Sequence, residues 1–402
     1  MLPSARLTLK PGHVKPVWAG HPWVYAQAIA RLDGSPAPGD VVTVIDGQGN
    51  PLGRGFWSEG SAIPVRLVTR GAEEDLDEVA LARRIAAAAA LRARRLGLPD
   101  ADPARGTDGF RLVHAEGDEL PGLIVDRYGE AACVQLLTIG MKRREEAIFD
   151  ALAALPGVRQ VIEVPGGEGQ KREGLAVALR TVRGEATATL AFRERGFAFE
   201  VPLALAQKTG YYFDQRDNRA RVEALAPGAT VLDACTYLGG FALAAARGGA
   251  LGVVGVDRAA PLLATASAIA ERNGLGERIG WRQGDVRRDL GTWAAAGERW
   301  DLVVLDPPKL APTTRHLAQA RPAYEGLNAA ALRLVAPGGV LVTCSCSAAL
   351  GPEELLRLVA MAARRAKREV RLLALGHQAA DHPTPPAFPE GRYLTCAFLA
   401  VD

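Results

Sequence analysis

The sequence predicts an α/β protein whose C-terminal half is a doubly wound parallel sheet, preceded by a small β-barrel and a middle α+β region. Three observations carry this. From about residue 219 onward, apolar runs at 230–233, 252–256, 278–282, 301–305, 338–343 and 393–400 alternate with helical segments, the rhythm of a sheet covered by helices on both faces. Residues 1–72 instead hold short β-like runs, Leu7–Leu9, Val41–Ile45 and Ile63–Val68, broken by Gly and Pro as in a small barrel. Residues 73–188 mix one long helix with strand pairs, and 189–402 hold the doubly wound part.

Bulk properties narrow the class. The 402 residues, 48% hydrophobic, suffice for two or three buried cores. A formal net charge of +3 leaves any nucleic-acid affinity to local patches. No apolar run reaches the roughly eighteen residues of a membrane span. Met1-Leu2-Pro3-Ser4-Ala5-Arg6 turns polar too early for a signal peptide. Five widely spaced cysteines, Cys133, Cys235, Cys344, Cys346 and Cys396, suit a reducing cytoplasm better than a disulfide scaffold. One Cys-x-Cys pair and 6 His make no four-ligand set, so no metal is expected. The oligomeric state stays open, a homodimer included.

In the barrel region His21-Pro22-Trp23-Val24-Tyr25 lies beside Lys10, Lys15 and Arg31. Aromatics interleaved with cations can stack on bases and hold phosphate, which makes His21, Trp23, Tyr25 and Lys15 candidate RNA contacts. Residue types alone favour a plainer role for Trp23 and Tyr25 as barrel core. Leu76 through Leu96 reads as one helix stopped by Gly97. Its Arg83, Arg84, Arg92, Arg94 and Arg95 suggest a solvated face or an RNA-facing stripe. Residues 111–114, 122–128 and 132–137 read as paired strands, followed by a helix near 143–154 and strands at 160–164 and 190–201. Gly166-Gly167-Glu168-Gly169-Gln170-Lys171 lacks the Lys-Ser/Thr ending of a phosphate loop.

The chemistry gathers in the last region. Val231-Leu232-Asp233-Ala234-Cys235-Thr236-Tyr237-Leu238-Gly239-Gly240-Phe241 reads as strand, tight turn and helix start. There glycine lets a ligand approach the backbone and helix N–H groups face an anion. Asp257 ends the second strand, where a carboxylate can accept ribose hydroxyls, and Asp285 follows the third, where an adenine amino group would lie. The turn lacks the G-x-G-x-x-G spacing of a dinucleotide site. This order fits class I S-adenosylmethionine methyltransferases, with Asp233, Tyr237, Gly239, Asp257 and Asp285 as cofactor contacts. The plain alternative makes Asp233 and Asp257 turn formers.

Two further segments follow buried strands: Asp306-Pro307-Pro308-Lys309 after Leu302–Leu305, and Thr343-Cys344-Ser345-Cys346-Ser347 after Gly339–Val342. Neighbouring parallel strands share one crevice at their carboxyl ends, so a carboxylate and a thiol would meet there. A thiolate adding to C6 of a pyrimidine makes C5 nucleophilic enough to take a methyl group, the usual benefit of covalent catalysis. Asp306 would orient cytosine through N3 and its exocyclic amine, and would also border the cofactor. Lys309 and the helix beginning near Gly351-Pro352-Glu353 could favour the thiolate. Spacing does not decide between Cys344 and Cys346, which share a face in an extended segment. Cys235 reads as packing by the cofactor, and Cys133 and Cys396 as core.

The chain resembles the bacterial large-subunit (23S) ribosomal RNA cytosine-5 methyltransferase family. The resemblance runs through His21-Pro22-Trp23-Val24, Arg111-Leu112-Val113-His114, Leu120 to Arg127, and Arg172-Glu173-Gly174-Leu175. It continues through Gln207-Lys208-Thr209-Gly210-Tyr211-Tyr212-Phe213-Asp214-Gln215-Arg216, Tyr237 to Phe241, Asp306 to Lys309, and Ser345-Cys346-Ser347. Asp381-His382-Pro383 and Phe388 to Leu394 close it. It implies a PUA domain, a small α+β domain and a Rossmann-like class I methyltransferase domain, acting in the cytoplasm on large-subunit rRNA with S-adenosylmethionine. It also implies Cys346 as nucleophile, and Lys208 and Tyr212 lining the cofactor pocket. Two positions depart from the family pattern: Cys344 stands where an aromatic residue is usual, and Leu310 where Phe is frequent. No separate release cysteine neighbours Asp306. The competing readings are non-covalent methylation of another rRNA base such as guanine N7, a nicotinamide oxidoreductase, and a non-catalytic RNA-binding assembly factor.

Overall fold

Buried apolar strands set the architecture of the computed structural model, which describes residues 5–71, 73–102, 104–311 and 314–402. The chain forms two units, Met1–Phe213 with Ala380–Gly391, and Asp214–Ala379 with Arg392–Asp402. Among the described residues no helix is long and apolar enough to cross a membrane.

The first unit opens with β1 (Ala5–Leu9), α1 (Val14–Trp18), β2 (Trp23–Val24), β3 (Ile29–Asp33), β4 (Val41–Ile45), β5 (Pro51–Trp57) and β6 (Val65–Thr69). They make one six-stranded sheet in the order β2-β6-β5-β4-β1-β3. Alternation along β4 buries Val42 and Val44 with Leu7, Leu9 and Val24 in one apolar cluster. Trp23 and Tyr25 are outside that cluster, so the plainer expectation of barrel core does not hold for them.

Helix α2 (Glu78–Leu96) starts where Asp77 accepts from the Ala80 amide at 2.8 Å, and ends at Gly97 in the left-handed region. Its arginines do not form one stripe. Arg84 and Arg92 fall with Ala88 at four-residue spacing on the face that packs inward, and all three are buried. Arg92, 0% exposed, pairs with Asp118 and donates to the carbonyls of Arg111 and Asp381. Arg84 pairs with Glu74. Only Arg83, Arg94 and Arg95 reach solvent.

A five-stranded sheet follows, in the order β11-β10-β9-β8-β7. Its members are β7 (Gly109–His114), β8 (Leu123–Tyr128), β9 (Ala131–Leu136), β10 (Gln160–Glu163) and β11 (Arg180–Arg183), with α3 (Ile139–Lys142) and α4 (Glu145–Ala153) between β9 and β10. The glycine-rich run folds into a short helix, α5 (Glu168–Arg172), whose Gln170 side chain donates through Nε2 to the Leu136 carbonyl. The single strand expected over 190–201 is a hairpin, β12 (Thr189–Glu194) and β13 (Phe197–Pro202). Arg195 (φ 51°) and Gly196 (φ 84°) both take positive φ, as a two-residue hairpin turn requires.

The second unit holds α6 (Arg216–Leu225), β14 (Thr230–Ala234), α7 (Gly240–Arg247), β15 (Gly252–Asp257), α8 (Ala260–Arg272), β16 (Ile279–Gln283) and α9 (Val286–Ala295). After them come β17 (Trp300–Leu305), α10 (Leu317–Leu334), β18 (Val335–Ser345), α11 (Pro352–Ala366), β19 (Val370–Gly376) and β20 (Thr395–Val401). Strand order is β16-β15-β14-β17-β18-β20-β19, parallel except that β20 runs antiparallel to both neighbours. From β14 the chain winds outward to β16, then returns to the other side at β17. The point where the order reverses lies between β14 and β17. Register aligns Ala234 with Leu305, and Leu305 with Thr343, which brings the three strand ends level. Strand β19 was not expected from the sequence, because Leu372 and Leu373 are exposed on this edge strand and show no alternation.

Candidate functional site

Three turns meet at the level strand ends of the second unit. The first, between β14 and α7, is sharply bent: Cys235, Tyr237 and Gly239 all have positive φ, at 66°, 54° and 78°. A Cβ at Gly239 would stand 2.7 Å from the Trp281 ring, so a side chain is excluded by space as well as by conformation. Asp233, fully buried, ties the turn down: one carboxylate oxygen accepts from the Thr236 hydroxyl and, at 3.0 Å, from the Ala242 amide in the first turn of α7. Its other oxygen is buried with no hydrogen-bond partner among the described residues. Burial pushes this carboxyl up to about 6.

Asp257, at the end of β15, accepts from the Tyr237 amide at 3.1 Å and the Ala259 amide at 3.0 Å. Asp233, Tyr237, Gly239 and Asp257 are therefore one connected cluster. Asp285 is exposed and caps α9 by accepting from the Arg287 amide. Burial holds the Cys235 thiol protonated well above its ordinary range.

The second turn carries Asp306. Its amide donates to the Ala234 carbonyl at 3.3 Å, and its carboxylate accepts from Gln215 Nε2 at 3.1 Å. Burial, then the negative charges of Asp214 and Asp233, push it up to about 7, against the opposing pull of Arg219. A carboxyl in that state is part acid and part base at neutral pH. Lys309 is exposed and lines a groove of about 430 Å³ with Arg287 and His316.

The third turn separates the two cysteines. Cys344 is 0% exposed, stands opposite Cys396 across the β18–β20 ladder, and its thiol donates to Cys396 Sγ at 3.2 Å. That contact, with burial, holds it protonated. Strand β18 stops at Ser345, so Cys346 lies beyond the ladder and is half-buried. The serines flanking Cys346 are both buried: Ser345 Oγ is 3.0 Å from the Tyr324 hydroxyl, and Ser347 donates to the Ala311 carbonyl. Anchored on both sides, Cys346 is the accessible thiol of the pair. Cys133 and Cys396 are core.

The remaining expected residues belong to the first unit. Lys208 Nζ lies 4.4 Å from the Tyr212 ring centre, and the Tyr212 hydroxyl donates to Gln207. Trp23 donates its indole N–H to Glu116 at 2.7 Å and sits 4.6 Å from the Phe388 ring. Tyr25 donates to Glu390 at 2.9 Å, and burial with that carboxylate pushes its hydroxyl up to about 12. His21 lies 3.3 Å from the same Glu390. These rings thus hold the segment Ala380–Gly391, whereas Lys15 is exposed on α1.

Sequence reasoning assigned no role to Asp214, Gln215, Arg219 or Tyr324, all of which act on the Asp306–Cys346 region. Asp214 and Gln215 lay within a motif already singled out. Tyr324 gives no signal within a helical run.

A PUA-like domain model matches residues 7–70, and an S-adenosylmethionine-dependent methyltransferase model matches residues 167–389. The chain is 38% identical over 395 residues to the ribosomal RNA large subunit methyltransferase I of Shewanella denitrificans, covering 97% of this chain and 98% of that protein. It is 36% identical over 393 residues, at the same coverage, to that of Erwinia tasmaniensis. Among solved structures it is similar to SMU.776, a candidate methyltransferase complexed with SAH, with a TM-score of 0.83 and 19% identity, covering 98% of this chain and 99% of that one.

Proposed function

The chain belongs to the S-adenosylmethionine-dependent methyltransferase family, and within it we propose that it methylates C5 of a cytosine in large-subunit ribosomal RNA through a covalent adduct with Cys346. The relatives' names supply the RNA class, and such a reaction belongs in the cytoplasm. The observation that carries the cytosine-5 chemistry is the pairing of a half-buried thiol, Cys346, with a carboxyl raised to about 7, Asp306, on turns of adjacent strands.

The residues present suit the cofactor. The unpartnered buried oxygen of Asp233 and the side-chain-free cradle at Gly239 are what an ammonium group and a close ligand need. Asp257 would take the ribose hydroxyls and Asp285 the adenine edge, with Lys208 and Tyr212 proposed as further lining. S-adenosylmethionine, when bound, supplies an electrophilic methyl group.

The chain's own residues do the rest. Cys346 thiolate forms a bond to C6 while the electron pair of the C5–C6 double bond shifts towards N3. Asp306, in its protonated form, gives N3 a proton and so neutralises the charge that develops there. After C5 has been alkylated, loss of the C5 proton to a base restores the double bond. The S–C6 bond breaks, and N3 returns its proton to Asp306. Lys309 would lower the cost of the anionic thiolate.

Labelled methyl transfer to unmodified large-subunit rRNA, with product nucleosides identified by mass spectrometry, tests this reading. We expect 5-methylcytidine from the wild-type protein and at least about a thousandfold less from Cys346→Ala, the scale of losing a covalent nucleophile. A methylated guanosine, or unchanged activity in the variant, contradicts it.

A further inference from the structure

We propose that Trp18, at the end of α1, is a base-stacking platform for an unpaired stretch of RNA, with Lys15 and Arg70 placed for its phosphates. This rests on the RNA-substrate reading above. The sequence reading named Lys15 here but gave Trp18 no role.

The chain has 6 tryptophans. Trp23, Trp57, Trp281, Trp293 and Trp300 are buried or half-buried, whereas Trp18 is 75% exposed. No aromatic or cation–π partner is found for its ring among the described residues. Helix α1 turns Val17, 3% exposed, into the core and leaves Trp18 on the outside. A large flat apolar ring left in water invites a flat apolar partner, and every base has such a face.

The surroundings specify an anionic partner. Lys15 precedes Trp18 by three residues, which makes them neighbours on the helix surface. The His13 amide donates to the Lys10 carbonyl at the helix start, while the Lys10 ammonium donates to the Gln27 carbonyl at 2.9 Å. Arg70 donates to the Val17 carbonyl at 2.8 Å, one residue from Trp18, and Glu119 is the carboxylate whose charge reaches it. No Asp or Glu occurs in the sequence before Asp33. Lys15 forms no ion pair among the described residues. Aromatic face and cations together are the features that bind single strands without a sequence requirement. Trp23 and Tyr25 differ in that their polar atoms are already committed to Glu116 and Glu390.

The test uses the full chain, a fluorescein-labelled oligouridine, the same strand in a duplex, and unmodified large-subunit rRNA. Trp18→Ala should weaken oligouridine binding about 5- to 150-fold, the range for losing one stacked base. Trp18→Phe should stay within about threefold, since it keeps an aromatic face. Lys15→Ala should reduce the slope of log affinity against log salt by about 0.7, while Trp18→Ala leaves that slope unchanged. Thermal melting should not move for Trp18→Ala, because the ring is exposed. The proposal is overturned if Trp18→Ala binds oligouridine like the wild type, if Trp18→Phe loses as much as the alanine variant, or if duplex binding falls equally. When the wild type still methylates rRNA in these cases, only the stacking site falls. A wild-type protein that neither binds nor methylates any RNA overturns the RNA-substrate reading with it.

Discussion

Asp306 is the residue whose setting says most about chemistry. A carboxyl that is buried and faced by the charges of Asp214 and Asp233 resists ionisation, so its proton is available near neutral pH. Two consequences carry opposite readouts. The transfer rate should lose its Asp306-dependent contribution as pH rises through about 7, because the form that protonates N3 disappears. Stability responds as well. The unfolded chain ionises this carboxyl near its ordinary value of about 4 and the folded chain only near 7. Between those values the unfolded state holds fewer protons, and stability falls as pH rises. Asp306→Asn should therefore melt higher than the wild type at about pH 8 and alike at about pH 3.5, while transfer falls at least about tenfold. Equal melting at both pH values, checked by differential scanning calorimetry, would show that the carboxyl is not raised. Sequence reasoning found Asp306 because it follows an apolar strand. It could not find the carboxylates that tune it, since Asp214 is distant in the chain and meets it only in the fold.

At the scale of elements, the β14–α7 turn and the strand ends do the positioning. Three positive-φ residues within five positions let the chain leave the sheet and enter α7 at once, with Asp233 bound across the corner. Gly239→Ala should cost about 1–3 kcal/mol, the sum of a left-handed side chain and the approach to Trp281. It should also weaken S-adenosylmethionine binding in calorimetry at least about tenfold. Unchanged melting would mean that Trp281 yields freely. Strands β14, β17 and β18 were legible because burial on both faces makes them continuously apolar. The β12–β13 hairpin was not, because Arg195-Gly196 lacks the usual Asn or Asp signal. Arginines in α2 read as surface because their type is nearly always exposed. Asp118 and three backbone carbonyls make Arg92 an exception.

Across the whole molecule, the two units divide the work the sequence hinted at. The first contains the PUA-like domain over residues 7–70, whose rings at His21, Trp23 and Tyr25 hold the segment Ala380–Gly391. The second carries the methyltransferase sheet and the three strand-end turns. Aromatic clusters were legible as composition, but exposure was not: Trp23 and Tyr25 stood out beside cations, yet Trp18 is the ring in water. Likewise Cys344 and Cys346 were equivalent by spacing and are distinguished by where the ladder ends. The most direct measurement of the central claim uses large-subunit rRNA transcribed with 5-fluorocytidine, whose C5 fluorine cannot leave as a proton does and so arrests the adduct. Incubation with S-adenosylmethionine, digestion and peptide mass spectrometry should find a methylated fluorocytidine on Cys346, absent from the Cys346→Ala variant. A modified Cys344, or no protein–RNA adduct while unsubstituted rRNA is methylated normally, would contradict covalent catalysis by Cys346.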